Sequence, residues 1–141
     1  MSTLTAYDTL RDWFEAAWTF TARCYENEGA YPPPGVDGSL PPFAHMAVEG
    51  DIFRQISIGA GAPDDNLWRE EGTATFTFCV ETGSGVSAAR GFAQTLADMM
   101  RGLLLSPGLQ CTDMRITAGR VPSGAGNYYA IALVTRWRRD E

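Results

Sequence analysis

The chain of 141 residues contains no lysine, so all 11 of its basic residues are arginine. Arginine's planar fork suits stacked or paired contacts at interfaces, and the mobile point charge of lysine is missing. Positive charge is also outnumbered: 17 acidic residues leave a formal net charge of −6. A protein that grips nucleic acid through phosphates needs the opposite balance, because its affinity comes from cations that release counterions. An acidic chain that meets DNA is expected to let it pass rather than hold it. Histidine occurs once, as His45, and cysteine three times, as Cys24, Cys79 and Cys111, far apart and never as a C-x-x-C pair. A structural zinc needs four close ligands, so no metal is expected, and the cysteines read as buried free thiols. No apolar run reaches the roughly 18 residues of a membrane span. Residues 1–5 lack the basic and apolar regions of a signal peptide. The expectation is a soluble protein made in the cytosol, with no membrane partner.

Apolar residues make up 45% of the chain and charged residues 20%, the composition of one globular domain spanning 1–141. Residues 4–22 read as a helix, with Leu4, Tyr7, Leu10, Phe14, Trp18 and Thr21 at three- and four-residue steps and Ser2, Thr3 or Thr5 as caps. Residues 29–42 hold five prolines and three glycines and read as a long loop. Residues 43–49 and 52–58 read as a hairpin turned at Gly50-Asp51. An acidic loop over 59–71 follows. Strand 72–82 alternates most clearly, Ala74, Phe76, Phe78 and Val80 on one side and Thr73, Thr75, Thr77, Cys79 and Glu81 on the other. A second helix is predicted over 86–105, capped by Ser84 or Ser87 and ended by Pro107-Gly108. Strands over 110–119 and 128–138 close the sheet. The order α-β-β-β-α-β-β predicts an α+β fold, an antiparallel sheet with both helices on one face. The other face, carrying Gln55, Ser57, Thr73, Thr75 and Thr77, is expected to be polar and uncovered.

Catalytic chemistry finds no foothold in this order of parts. Gly59-Ala60-Gly61 runs into Asp64-Asp65, which repels phosphate. Gly83-Ser84-Gly85 lacks the third glycine and the lysine of a phosphate loop. The acid pairs Asp64-Asp65 and Glu70-Glu71 lie in a polar loop rather than converging on a pocket. His45, the one histidine, is expected to point away from the helices. The reading is a structural module, not an enzyme, without cofactor.

The pieces and their spacing resemble the tail terminator (tail-completion) proteins of long-tailed phages and gene transfer agents. The resemblance rests on Tyr25-Glu26-Asn27 after a long first helix, Tyr31 and the prolines before the first strand, and Gln55-x-Ser57-Ile58-Gly59. It continues with Arg69-x-Glu71-Gly72, Gly83-x-Gly85 and Ala97-Asp98 within the second helix. The chain departs from the family's pattern at Pro42-Phe43-Ala44-His45, where a basic residue usually follows the aromatic, and at Glu81-Thr82, where a proline is usual. The resemblance implies a virion protein, assembled in the host cytoplasm, that forms a hexameric ring at the head-tail junction. Such a ring caps the tail-tube protein, ends its polymerisation and joins the head-tail connector protein, while DNA passes through the hole without specific binding. It makes Tyr31, Pro34, Asp64, Asp65, Leu67, Trp68 and Arg69 candidates for contact with a neighbouring subunit. Gln55, Ser57, Thr73, Thr75 and Thr77 become candidates for the channel face, and Arg136, Arg138 and Arg139 for contact with a partner. Two other readings are another head-tail junction or tail-tube protein, and a small ligand-binding or enzymatic α+β domain.

Overall fold

The computed structural model describes residues 3–59, 61–105 and 108–141. Ser2 and Pro107, named above as a cap and a helix stop, lie outside the described residues, as does Ala60. The first helix, α1, spans Leu4–Ala17. Thr3 caps it, its hydroxyl accepting from the Ala6 N–H at 3.3 Å. The buried stripe is Ala6, Leu10 and Phe14, so Leu4, expected on it, stays 74% exposed. The helix stops five residues earlier than its periodicity predicts. Thr19, Phe20 and Thr21 are poor helix formers, and Trp18 turns extended, is fully buried and donates its indole N–H to the Thr21 hydroxyl at 2.8 Å.

That early stop frees a strand that periodicity did not reveal, β1 (Ala22–Tyr25), which runs parallel to β2 (Phe43–Gln55). β3 (Trp68–Glu81) follows, then helix α2 (Ser87–Met100), β4 (Leu104–Leu105), β5 (Leu109–Ala118) and β6 (Tyr128–Asp140). The six strands form one sheet ordered β1-β2-β3-β6-β5-β4. The fold is α+β, but the sheet is mixed rather than purely antiparallel, because β1 pairs parallel to its neighbour. α2 ends at Met100 instead of running to 105. Gly102, at φ +71°, takes the left-handed turn that lets Leu104–Leu105 leave for the sheet edge.

Gly50-Asp51 is a bulge, not a turn. Gly50 pairs with Gly72 and Ile52 with Glu71, leaving Asp51 as the extra residue in one continuous strand. The hairpin is therefore β2–β3, joined over residues 56–67, and residues 68–71 of the expected loop are strand. One inserted residue reverses the alternation of sides. Before the bulge Ala44, Met46 and Val48 face the helices; beyond it Phe53 and Gln55 do, opposite Glu70 and Trp68.

Both helices lie on one face. Phe14 packs on Phe76 with ring centroids 5.0 Å apart, Trp18 on Phe78 at 5.1 Å, and Phe92 of α2 meets Trp18 at 6.0 Å. Each fully buried ring among these stabilises the fold by about 1.5–3 kcal/mol. Against expectation, the second face is covered at one end. The proline-rich loop folds back across it, and Phe43, Cys24, Cys79, Tyr128 and Ala130 form a smaller core with Tyr31, Leu40, Val121 and Ala125 packed against it. Tyr128 donates its hydroxyl to the Pro41 carbonyl at 2.9 Å, and Tyr31 donates to the Ser123 carbonyl at 3.2 Å.

Candidate functional site

Two surfaces hold the residues that the sequence singles out. The first is the far end of the β2–β3 hairpin. Here Phe53 and Trp68 meet with ring centroids 5.5 Å apart and form an apolar floor with Leu67. Asp64, Asp65, Asn66, Ser57 and Glu141 complete an open cleft of about 790 Å3. Pro63–Asp65 form a single 3-10 turn. The Ser57 hydroxyl accepts from the Leu67 N–H at 2.7 Å, and Gln55 donates its side-chain amide to the Ser57 carbonyl at 2.8 Å. Trp68 and Glu141 exchange backbone hydrogen bonds of 2.8 and 2.9 Å. Phe53 remains 52% exposed and Leu67 43%.

Of the candidates for subunit contact, Asp64, Asp65, Leu67 and Trp68 thus share this cleft, and Arg69 stands beside it. Arg69 grips Asp140 with two nitrogens, at 2.7 and 2.8 Å, and holds that carboxyl below its ordinary range. Tyr31 and Pro34 lie elsewhere. Tyr31 packs on Phe43 at the covered end of the sheet, and Pro34 is exposed in the loop it anchors.

The second surface is the part of the sheet that neither helices nor loop cover. Thr73 and Thr75 lie there, partly exposed. The other channel candidates do not join them. Thr77 is 6% exposed because the strand end and Gly119 close over it. Gln55 falls on the helix side beyond the bulge, and Ser57 sits in the loop at the cleft. The threonines have arginine neighbours instead. Arg136 stands opposite Thr73 in the register and Arg138 opposite Glu71, while Arg115 stands beside Val134 on β5. The face expected to be polar and uncovered thus carries arginines and acids beside its threonines, Glu49 opposite Thr73 among them.

Arg139, grouped with Arg136 and Arg138 as a partner contact, points the other way and is 5% exposed. It lies 3.6 Å from Glu70 and also binds Glu141. Glu70, 2% exposed, accepts from the Thr3 N–H and hydroxyl at 2.6 and 2.7 Å, which fastens the start of α1 to β3. Alternation along β6 carries this separation of sides, but a charged Arg-Trp-Arg-Arg strand end conceals which arginine is buried. Sequence reasoning does not single out Phe53 or Arg115 as site residues. The signal for Phe53 is the glycine inside a strand pattern, which marks bulges.

Elsewhere, Cys24 lies beside His45 in the parallel register. Burial pushes the thiol up from its ordinary value, and it donates to the Ala30 carbonyl at 3.0 Å, so it remains a thiol. Burial likewise lowers the His45 ring, against the opposing charge of Glu26. The remaining thiols are raised by burial, Cys79 to about 12 and Cys111 to about 11. Among the described residues no group of three or more potential ligands is placed to hold a metal ion. No helix among them is long and apolar enough to cross a membrane.

No family model matches the chain, and no curated protein matches it in sequence. Solved structures do share its fold. One of them superposes with a TM-score of 0.53 over 95% of this chain and 89% of its own, at 17% identity. A likeness at that identity speaks for the α+β fold alone.

Proposed function

We propose that this chain is the ring-forming subunit of a phage-type tail terminator. Six copies cap a tail tube, end its growth and join it to the head, and DNA passes through the centre. The observation that carries the reading is the end of the β2–β3 hairpin, where Phe53, Leu67 and Trp68 form an apolar floor open to solvent. Large exposed apolar clusters with polar rims belong to contact surfaces. A ring requires such a surface to meet a different one on the next copy.

The residues behind the family resemblance support the reading by the work they do in the fold. Tyr25 is buried edge-on against Phe14, with the Arg11 guanidinium 4.1 Å from its ring centre. Just past the end of β1, the Glu26 carboxylate accepts the Val48 N–H at 2.6 Å, in place of a strand neighbour. Asn27 takes the left-handed conformation at φ 59°. Gly72 has no room for a Cβ, which would stand 2.0 Å from the Glu49 carbonyl and 2.6 Å from the Trp137 ring.

The test is a mass measurement in solution with negative-stain imaging, on the natural chain and on Trp68→Ala and Leu67→Asp. Rings of six are expected, with both variants shifted to monomer while their circular dichroism is unchanged. A monomer at every concentration overturns the ring. Long tubes in place of single rings would assign the chain to the tail tube itself. If Trp68→Ala unfolds the subunit, Trp68 belongs to its core, and Leu67→Asp alone then decides.

A further inference from the structure

We infer that the uncovered face of the sheet carries a phosphate-binding site, built from Arg115, Arg136 and Thr73, that takes the backbone phosphates of a nucleic acid without reading its sequence. Six of the chain's 11 arginines are spent on carboxylates. Arg11, Arg23, Arg54, Arg69, Arg101 and Arg139 each have a carboxylate within salt-bridge distance. Arg138 donates to the Gln110 side chain at 3.0 Å. The side chains of Arg90, Arg115, Arg120 and Arg136 have neither a carboxylate nor a hydrogen-bond partner among the described residues, and of these four Arg115 and Arg136 line the same small hollow.

That hollow, of about 220 Å3, is bounded by Thr73, Asp113, Met114, Arg115, Val134 and Arg136. Arg115 pairs with Val134, and Arg136 lies two residues further along β6, so the two residues stand diagonally across adjacent strands and line one hollow. Like charges so placed repel, and an anion between them turns that repulsion into attraction. Two guanidinium forks and a hydroxyl donor match the oxygens of a phosphate.

The surrounding acids neutralise the two arginines only in part. Of the carboxylates on the same face, Glu71 and Asp140 are engaged by Arg54 at 3.7 Å and Arg69 at 2.7 Å, while Glu49, exposed and opposite Thr73 in the register, lies beyond salt-bridge distance of Arg115 and Arg136. Asp113 sits at the rim, in the β5 bulge between Cys111 and Met114, beyond salt-bridge distance of either arginine. On this face Arg54, Arg69, Arg115, Arg136 and Arg138 meet Glu49, Glu71, Asp113 and Asp140, so the acid excess behind the chain's net charge of −6 lies elsewhere and the two arginines of the hollow outnumber its one acid. The hollow is smaller than the roughly 300–1,000 Å3 of a pocket that encloses a small molecule. Arg138 continues the line one pleat further, about 6.6 Å along the strand, which suits a polymer with repeated phosphates better than a single anion. The site stands on this geometry and does not require a ring. In a ring it would contact the passing DNA.

The test is fluorescence anisotropy of a labelled 20-base-pair duplex against the full chain in about 50 mM salt, beside Arg115→Gln/Arg136→Gln and, as control, Arg120→Gln. Weak binding indifferent to base sequence is expected. The double variant should bind tenfold or more weakly. Its log–log salt dependence should be shallower by about 2, at roughly 0.9 for each phosphate that is no longer neutralised. Arg120→Gln should change neither. No binding by the natural chain, or full binding by the double variant, overturns the site. Side-chain NMR of Arg115 and Arg136 in the natural chain, titrated with the duplex and with inorganic phosphate, decides even if the variant fails to fold. Shifts with the duplex support the inference. Shifts with inorganic phosphate alone would make the occupant a free anion and overturn the nucleic-acid assignment.

Discussion

At the scale of single residues, the pair formed by Glu70 and Arg139 shows most clearly how the fold spends a charge. Both are almost fully buried, 3.6 Å apart, and Glu70 also receives two hydrogen bonds from Thr3 at the positive end of α1. Arg139 is held less completely, since its Nε is buried without a partner. A buried pair costs desolvation roughly equal to what it returns, but losing one partner strands the other. Arg139→Met should therefore cost about 3 kcal/mol in urea unfolding. Adding Glu70→Gln should recover part of that loss, because it removes the stranded charge. A cost below about 1 kcal/mol for the single variant would mean that the pair behaves as an exposed one. Nothing in the sequence marks this pair. Glu70 reads as half of a loop acid pair and Arg139 as a solvated strand end, and only the register that sets them on the helix face tells otherwise.

At the scale of elements, the strongly periodic pieces were legible and the interruptions were not. Ala74, Phe76, Phe78 and Val80 alternate as predicted and carry the core, and Ala89, Ala93, Leu96 and Met100 form the stripe of α2. β1 was hidden because four residues are too few to show a period, and because the apolar steps of α1 continue through Trp18. The bulge was hidden because Gly50-Asp51 also makes a good turn. Its effect reaches the candidate site, since the reversed alternation brings Phe53 to Trp68 and takes Gln55 away from the threonines. Deleting Asp51 should restore simple alternation and turn Phe53 to the opposite face. The 56–67 connection would then lose its apolar support and be cut faster by protease, while the core below Gly72 melts within a few degrees of the natural chain. An unchanged cleavage rate would mean that the bulge does not govern the cleft.

At the scale of the whole molecule, the two ends of the sheet differ in kind. One end carries the open cleft with its apolar floor and the acids Asp64, Asp65 and Glu141 at its rim. The other is closed by the proline-rich loop, which seals Phe43 and Tyr128 and presents Pro34 and Val36 to solvent. A subunit that ends a polymer needs this inequality. If both sides of its ring could accept another ring, stacking would continue and length would not be set. In the proposed role, one side imitates a tube subunit and the other meets the head connector, with Arg136 and Arg138 available to an acidic surface or to DNA. Particles assembled without this protein should then carry tails of uncontrolled length or tails that never join heads, as counted by electron microscopy. Supplying Trp68→Ala in its place should reproduce that defect, because a subunit that does not close a ring cannot cap a tube. Tails of normal length, firmly attached to full heads in the protein's absence, would overturn the terminator role whatever the oligomeric state in solution.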